Sequence, residues 1–132
     1  MKYQKSKAMA DKTRPNHYRR GMEGEEQAVA YLRREGYEIL CRNYRYQRAE
    51  VDIFARHGEV LLVVEVKTRT DSFYEALSDT VSKTKIARLV RAADHFVRER
   101  GLEVDVRFDI IQLTGTPGQY TLVHWKDAFY YF

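Results

Sequence analysis

Three acidic side chains and one lysine lie on two neighbouring segments with the residue pattern of β-strands. They are Glu50, Asp52, Glu65 and Lys67, and the alternation of side chains along a strand places all four on the same face of a hairpin. Glu50 is predicted to lie opposite Glu65, and like charges across a strand pair destabilise it by up to about 1 kcal/mol. Lys67 offsets part of that repulsion, and a divalent cation would offset the rest.

A cation at this position would give the residues a chemical role. Mg²⁺ and Mn²⁺ bind carboxylate oxygens while keeping several waters, and they accept phosphate oxygens of a substrate. A lysine beside such a cation can position or deprotonate an attacking water and neutralise developing charge. The residue types therefore suit metal-assisted hydrolysis of a phosphodiester.

The same residues also have a purely structural interpretation. A Glu-x-Lys sequence is a common way to end a strand in solvent, and Asp52 can be an ordinary edge residue. An aspartate followed about a dozen residues later by Glu-x-Lys also occurs often by chance. The pattern alone leaves both interpretations open.

The hairpin that positions these residues is predicted from two strands, at about 48–56 and 59–67, joined by a two-residue turn at 57–58. In that register the numbers of paired residues sum to 115, so that Val51 faces Val64. Val51, Ile53 and Ala55 then share one apolar face of the sheet. The second strand contains the run VLLVV, which is typical of a central strand covered on both faces.

The remaining hydrophobic pattern predicts helices before and after this hairpin. Glycine is expected to end each helix, at Gly36 and Gly101. The predicted helices are at 21–36 and 81–100, and the predicted strands are at 37–41, 48–56, 59–67, 104–113 and 120–124. The second helix is expected to bury Ile86, Leu89, Val90, Ala93 and Val97.

Composition and charge divide the chain into a tail and one domain. The 132 residues are 44% apolar and 32% charged, which is typical of a single compact globular domain. The net charge is +4, but residues 1–20 hold seven basic residues and one acid, a charge of +6, and residues 21–132 hold 16 basic and 18 acidic residues, a charge of −2. We predict a basic, flexible or briefly helical tail at 1–20 and a single domain at 21–132. The tail is either a solubilising extension or an arm that grips phosphates.

The expected compartment is the cytoplasm. A single cysteine, Cys41, cannot form a disulfide framework. The chain contains no apolar run long enough to span a bilayer, and the basic N-terminus lacks the apolar stretch of a signal peptide. We therefore predict no membrane partner.

An arginine-aromatic run directly precedes the acidic hairpin. Arg42, Arg45 and Arg48 are interleaved with Tyr44 and Tyr46. Beside a metal site such a run can grip phosphates and stack on bases. The alternative is a solvated connector between two strands.

Several spaced motifs occur together from Gly21 to about Phe129. They are Gly21-x-x-Gly24-Glu25, Ala28, Tyr31-Leu32, Gly36-Tyr37, Asn43, Glu50-Val51-Asp52, Val64 to Arg69, Lys85, Arg107-Phe108-Asp109 and Trp125 to Phe129. In this order they resemble the YraN family, which is similar to archaeal Holliday-junction resolvases and to the restriction-endonuclease-like PD-(D/E)xK superfamily. The resemblance implies an α/β fold with a restriction-endonuclease-like core, in which helices flank a mixed five-stranded sheet in the order αβββαββ.

The resemblance also implies roles for individual residues. Asp52 matches the metal-binding aspartate of the motif, Glu65 its second acid and Lys67 its lysine. Glu25 matches an acid that related resolvases add to the metal site. Lys85, which opens the second helix, is a candidate for a phosphate contact.

These assignments lead to one main prediction and two alternatives. The main prediction is a Mg²⁺- or Mn²⁺-dependent endonuclease or resolvase-like phosphodiesterase that acts on DNA, including branched DNA, with Lys85, Arg45, Arg48 and Arg69 contacting nucleic acid. The first alternative is a nucleic-acid-binding module without turnover. The second is an adaptor that binds protein through the aromatic residues 129–132, which could equally form the contact of a homodimer.

Overall fold

The computed structural model describes residues 16–69 and 82–128, and for residues 16–20 it describes the backbone. The elements are α1 (Asn16–Arg34), β1 (Glu38–Tyr46), β2 (Ala49–His57), β3 (Val60–Arg69), α2 (Lys83–Arg100), β4 (Asp105–Thr116) and β5 (Gln119–Trp125). The five strands form one sheet in the order β1-β2-β3-β4-β5. Only β3 and β4 are parallel, and the other neighbours are antiparallel. The predicted mixed α/β architecture with a five-stranded mixed sheet is confirmed.

Strand β3 lies at the centre of the sheet because its side chains are apolar on both faces. Leu61 and Val63 pack on the side of α2, and Leu62 and Val64 pack on the side of α1. All four are 2% exposed or less. Parallel neighbours need a crossover connection, and α2 lies within the one that links β3 to β4. The two helices thus cover opposite faces of the sheet.

The helix α2 buries a slightly different stripe from the predicted one. Ile86, Leu89 and Ala93 are buried as expected, but Val90 is 36% exposed, so its assignment to the core is wrong. Phe96 is buried in its place and stacks on Phe54 with ring centroids 3.9 Å apart. The spacing of apolar residues predicts that one face of the helix is buried, but it does not fix which residues lie at the centre of that face. Burial of the large aromatic ring of Phe96 moves the centre away from Val90.

Local interactions explain where α2 begins and where it ends. The side chain of Ser82 accepts a hydrogen bond from the backbone N–H of Lys85 at 3.1 Å and caps the first turn. Gly101 ends the helix with φ of 62°, a left-handed conformation that glycine adopts without strain. The predicted stop at Gly101 is confirmed. Capping by Ser82 also fixes the start of the turn that carries Lys85.

The first helix begins inside the stretch that was predicted as a tail. Helix α1 begins at Asn16 and therefore includes residues 16–20, the last part of the stretch predicted as a tail. Residues 1–15 lie outside the described residues, as do the aromatic residues 129–132. Within the parts of the chain that the structure describes, neither helix has the length and apolar character needed to cross a membrane.

Strand β1 is longer than predicted. It runs from Glu38 to Tyr46 rather than over 37–41, so the arginine-aromatic run belongs to the strand as far as Tyr46, and for that part the interpretation as a solvated connector is wrong. Arg48 lies in the exposed turn before β2. The reason is tertiary, because Tyr44 and Tyr46 pack against the core on the side of α2. The hydroxyl of Tyr44 also lies 2.8 Å from Nδ1 of His95 on α2.

The β2–β3 turn has the predicted length but lies one residue later in the chain. His57 pairs with Val60, so the turn consists of Gly58 and Glu59, and paired numbers sum to 117 rather than 115. Ile53, not Val51, therefore faces Val64, and the predicted pairing is wrong. Gly58 has φ of 62° and takes the first turn position, where glycine is least strained. The sum of the paired residue numbers changes by two. Odd-numbered residues of β2 therefore still pair with even-numbered residues of β3, as predicted.

Candidate active site

Asp52 lies where the regular alternation of β2 is interrupted. Val51 packs in the core beneath α2 together with Phe54, whereas Ile53 packs in the core beneath α1. The prediction that Val51 and Ile53 share a face is therefore wrong. On the neighbouring strand β1, Asn43 adopts a positive φ of 54°. Two local irregularities of the backbone thus surround Asp52, and such irregularities commonly re-aim a side chain next to a site.

Asp52 and Glu65 interact as a pair of carboxyl groups. The last regular pair of the β2–β3 ladder is Ile53 with Val64, and Asp52 and Glu65 are the next residues on the two strands. Oδ2 of Asp52 accepts a hydrogen bond from the backbone N–H of Val66 at 2.7 Å. Burial and the negative charge of Glu65 nevertheless raise the pKa of Asp52 to about 7. At neutral pH, Asp52 is thus poised between its two protonation states.

Glu65 is held by two lysines. Its side chain is 8% exposed, and its Oε2 accepts a hydrogen bond from Nζ of Lys85 at 2.6 Å and forms an ion pair with Nζ of Lys67 at 3.3 Å. Burial acts to lower the pKa of Lys85, but the hydrogen bond and the charge of Glu65 outweigh it, and the net shift is upward. Both lysines therefore stabilise a negative charge on Glu65.

Glu25 reaches the same region from α1. Its Oε1 accepts hydrogen bonds from Nη2 of Arg42 at 3.0 Å and from Nδ2 of Asn43 at 3.3 Å. The helix can approach β3 this closely because Gly24 has no side chain, and a Cβ there would collide with Oγ1 of Thr68. Gly24 and Arg42 thus place Glu25 near the carboxyl pair, and the charge of Glu25 adds to the upward shift of the pKa of Asp52.

Two open cavities meet at Asp52. One has a volume of about 350 Å³ and is lined by Gly21, Glu25, Asp52, Val66, Lys67, Thr68 and Arg69. The other has a volume of about 470 Å³ and is lined by Arg48, Ala49, Glu50, Asp52, Glu65, Ser82, Thr84, Lys85, Arg88 and Leu89. We call these two cavities together the carboxylate cleft. It brings Glu25, Asp52, Glu65 and Lys67 to one place on the surface.

The predicted nucleic-acid-binding residues occupy different positions around the cleft. Arg48 and Arg69 line it. Lys85 lies inside it, bonded to Glu65. Arg45 is 77% exposed, pairs with Glu50 at 3.7 Å and lines neither cavity of the cleft.

The donor set suits a hard cation with few protein ligands. Among residues 16–69 and 82–128, no group of three or more acidic, histidine or cysteine side chains is gathered as a metal site. Magnesium, however, is usually held by only one or two carboxylates with water and substrate phosphate. Asp52 and Glu65 each engage one carboxylate oxygen and leave the other, Oδ1 and Oε1, outside these bonds. Oδ1 of Asp52 and Oε1 of Glu65 are the kind of ligand that such a cation binds. Glu25, which Arg42 holds nearby, offers a further carboxylate.

A buried network around Asp109 was not found from the sequence. Asp109 is fully buried and accepts two hydrogen bonds from Arg107, at 3.0 and 2.9 Å, and one from the backbone N–H of Asp127 at 3.0 Å. Nε2 of His124 lies 2.7 Å from its Oδ2, and Nδ1 of His124 lies 2.8 Å from the hydroxyl of Tyr31. Because a carboxylate only accepts, Nε2 of His124 carries the proton. The signal that could have revealed this network is an acid at an apolar position of a strand.

The Asp109 network ties three elements together. Tyr31 belongs to α1, Asp109 to β4 and His124 to β5. Burial acts to raise the pKa of Asp109, but the hydrogen bonds from His124, Arg107 and Asp127 outweigh it and hold that pKa below its ordinary value. The network thereby anchors the helix that carries Glu25.

The raised pKa of Asp52 predicts a stability gain when its charge is removed. A carboxyl with a pKa of about 7 when folded and about 4 when unfolded opposes folding increasingly as the pH rises through this interval. Asp52→Asn should therefore raise the free energy of unfolding by about 2–4 kcal/mol at pH 8, and by roughly half of that or less at pH 5. Urea denaturation in EDTA at both pH values measures the difference.

The matched control is Glu50→Gln, which removes an exposed carboxylate from the same strand. Its effect should stay within about 0.5 kcal/mol at both pH values. A gain for Asp52→Asn that is absent at pH 8, or that is equal at the two pH values, contradicts the interpretation of the Asp52–Glu65 pair.

The fold and the cleft together define a class of protein. It is an α/β protein in which two helices enclose a mixed five-stranded sheet, with a carboxylate and lysine cleft at the β2–β3 hairpin. Residues 24–113 match the model of the family described as the uncharacterised protein family UPF0102. The chain belongs to this family, which is the YraN family that its motifs resemble.

Individual relatives agree with the family match. The chain is 47% identical to a UPF0102 protein of Christiangramia forsetii over 116 residues, which cover 88% of this chain and 98% of the relative. It is 43% identical to a UPF0102 protein of Bacteroides thetaiotaomicron over 114 residues, which cover 86% and 94%. A UPF0102 protein of Flavobacterium psychrophilum is 38% identical over 112 residues, which cover 85% and 94%. The similarity therefore extends over nearly the whole of these relatives.

Proposed function

We propose that the protein is a metal-dependent endonuclease that cleaves phosphodiesters of DNA, including branched DNA, in the cytoplasm. The observation that carries the proposal is the pairing of Asp52 with Glu65, beside Lys67, in an open cleft. A carboxyl group whose pKa is raised by burial and by the charge of a neighbouring acid is found at active sites more often than elsewhere. The proposal includes a restriction-endonuclease-like core, with the cleft as its active site.

Each residue of the cleft has a place in this proposal. Asp52 and Glu65 would hold Mg²⁺ or Mn²⁺, with Glu25 binding directly or through water. The cation would supply charge neutralisation and activate a water. Lys67, beside Glu65, orients the attacking water and stabilises the negative charge that develops on the phosphate. Lys85 holds Glu65 in place by donating a hydrogen bond of 2.6 Å to its Oε2.

The charges around the cleft support a polyanionic substrate. Arg69 lines one cavity of the cleft, and Arg48 and Arg88 line the other. Arginine binds phosphate through planar, bidentate hydrogen bonds. A strand whose reacting phosphate lies at Asp52 would meet arginine on both sides.

A second candidate is a nucleic-acid-binding module without turnover. The observation that favours it is the occupation of Oε2 of Glu65 by two lysines, which already neutralise its charge without a cation. Binding would then use the same arginines. The two candidates differ in a single measurable property, which is cleavage.

The test combines binding and cleavage by the whole protein. Supercoiled plasmid, a single-stranded oligonucleotide and a four-way junction are incubated with Mg²⁺, Mn²⁺, Ca²⁺ or EDTA. We expect nicking of at least one substrate with Mg²⁺ or Mn²⁺ and none in EDTA, and we expect Asp52→Asn to lose it. Binding without cleavage under every condition selects the second candidate. Absence of both binding and cleavage contradicts both.

A further inference from the structure

A third cavity lies beside the carboxylate cleft and has a strongly basic lining. Its volume is about 440 Å³, and it lies between the β1–β2 turn and α2. Its polar lining residues are Tyr46, Gln47, Arg48, Thr84, Arg88 and Arg91. Three of them are arginines and none is acidic. We call this the arginine cavity.

The arginine cavity is continuous with the carboxylate cleft. Arg48, Ala49, Thr84 and Arg88 line both. A chain-like ligand can therefore pass from one to the other without leaving the surface. Arg88 lies at the boundary and faces both spaces.

The geometry of α2 brings two of the arginines together. Arg88 and Arg91 are three residues apart, so their side chains lie on the same face of the helix. No acidic residue occurs in α2 before Asp94, and the first half of the helix is therefore uniformly basic. In the part of the chain that the structure describes, no carboxylate lies within ion-pair distance of Arg88 or Arg91. Positive charges gathered in this way favour an anionic ligand.

The arginine cavity also has an aromatic residue in its lining, Tyr46, whose ring is held in place. The ring of Tyr46 stacks on His95 at a centroid distance of 4.1 Å and an interplanar angle of 19°. Nε2 of Gln47 donates a hydrogen bond to the hydroxyl of Tyr46 at 3.4 Å. Arginines beside an aromatic ring are the combination with which proteins bind single-stranded nucleic acid.

We propose that the arginine cavity binds a backbone phosphate next to the one that reacts in the carboxylate cleft, on the same nucleic-acid strand. The inference rests on the proposed function of the cleft and adds a second phosphate site with named residues. Arg88 contacts both phosphates, and Arg48 and Arg91 hold the second one. The strand in this part of the complex is unpaired, so that a base can contact the ring of Tyr46.

The test measures binding of single-stranded DNA in EDTA, where cleavage does not interfere. Fluorescence anisotropy with a labelled strand of about 12 nucleotides is recorded from about 50 to 200 mM KCl, and the slope of log K against log salt is determined. Arg91→Ala should weaken binding about three- to tenfold and reduce the slope by about 0.7, the value for one phosphate contact on a single strand. Arg91→Lys should retain most of the slope.

The matched control is Arg34→Ala, which removes the same charge from an exposed position on the helix that covers the opposite face of the sheet. Its slope should equal that of the unmutated protein. An equal slope for Arg91→Ala and Arg34→Ala overturns the proposal, as does equally tight, Arg91-dependent binding of poly-glutamate, because the cavity would then bind any anion.

The result is independent of whether the cleft cleaves DNA. A reduced slope for Arg91→Ala without cleavage in any metal supports the arginine cavity as a phosphate site and removes the endonuclease proposal. Metal-dependent cleavage with an unchanged slope retains the endonuclease proposal and removes the arginine cavity from the substrate path.

Discussion

Lys67→Ala is expected to lower metal-dependent nicking by at least about a hundredfold, the typical loss when a group that stabilises developing charge is removed. The side chain of Lys67 is 23% exposed and its Nζ lies 3.3 Å from Oε2 of Glu65. No other described lysine lines the cavity that Glu25 and Asp52 share. The Lys67→Ala substitution therefore removes the ammonium group from the cavity in which the attacking water and the phosphate would bind.

The fold should survive this substitution. Lys85 remains at 2.6 Å from Glu65, so the buried carboxylate keeps a positive partner. We expect the free energy of unfolding to change by no more than about 1 kcal/mol, the usual value for a partly exposed ion pair. Nicking rates and urea denaturation are measured on the same preparation, which separates loss of chemistry from loss of structure.

The control for Lys67 is Lys83→Ala, an exposed lysine at the first position of α2. It removes the same charge from the protein and should leave nicking within about twofold, since it lies outside the cleft and surface substitutions have small effects. Equal cleavage by Lys67→Ala and by the unmutated protein would falsify the role assigned to Lys67.

Asp109→Ala is expected to destabilise the protein by about 3–5 kcal/mol, the range measured when one partner of a buried ion pair is removed. Asp109 accepts two hydrogen bonds from Arg107, one from the backbone of Asp127 and one from His124. The substitution leaves the His124 ring, which is 4% exposed, without its acceptor. A buried donor without a partner carries the cost of its lost hydration.

The pH dependence of this effect has a definite sign. The pKa of Asp109 lies below its ordinary value, so its contribution to stability is complete at neutral pH and is lost as the pH falls through the folded-state pKa. The difference in unfolding free energy between Asp109→Ala and the unmutated protein should therefore shrink in acid, below about pH 4.

Asp105→Ala, at the exposed start of the same strand, serves as the control and should change the unfolding free energy by less than about 0.5 kcal/mol. The measurement is urea denaturation at neutral pH and at the lowest pH where the protein remains folded. A cost below about 1 kcal/mol for Asp109→Ala at neutral pH would show that the network is not a stabilising element.

The elements could be predicted from the sequence where local signals agree. The run VLLVV identifies a doubly covered strand, Gly101 ends α2, and Gly58 marks a tight turn. The predicted register of β2 and β3 was wrong because Gly58 can take either position of a two-residue turn, and the sequence does not show which one. The full length of β1 also escaped prediction, since its second half is held by packing of Tyr44 and Tyr46 beneath α2.

The candidate site was partly predictable for a similar reason. The prediction that β2 and β3 form one hairpin placed Asp52, Glu65 and Lys67 together, and the structure brings them to one cleft. The interruption of the alternation at Asp52 was not predicted. The hydrogen bond from Lys85 to Glu65 joins residues 20 apart in sequence, and the Asp109–His124 bond joins β4 to β5. No local period encodes such pairings, because they depend on how helices and strands pack in three dimensions.

The parallel pairing of β3 with β4 has a consequence for the order in which the site can form. The turn between β2 and β3 has two residues, whereas β4 begins only at Asp105, after the crossover that contains α2. Closing the short loop costs far less chain entropy, so non-local pairing is the slower step in folding. We therefore expect the carboxylates of the hairpin to approach each other before β3 pairs with β4. Lys67 belongs to the same hairpin and accompanies them from the start, whereas Lys85 joins them only when α2 packs on the sheet.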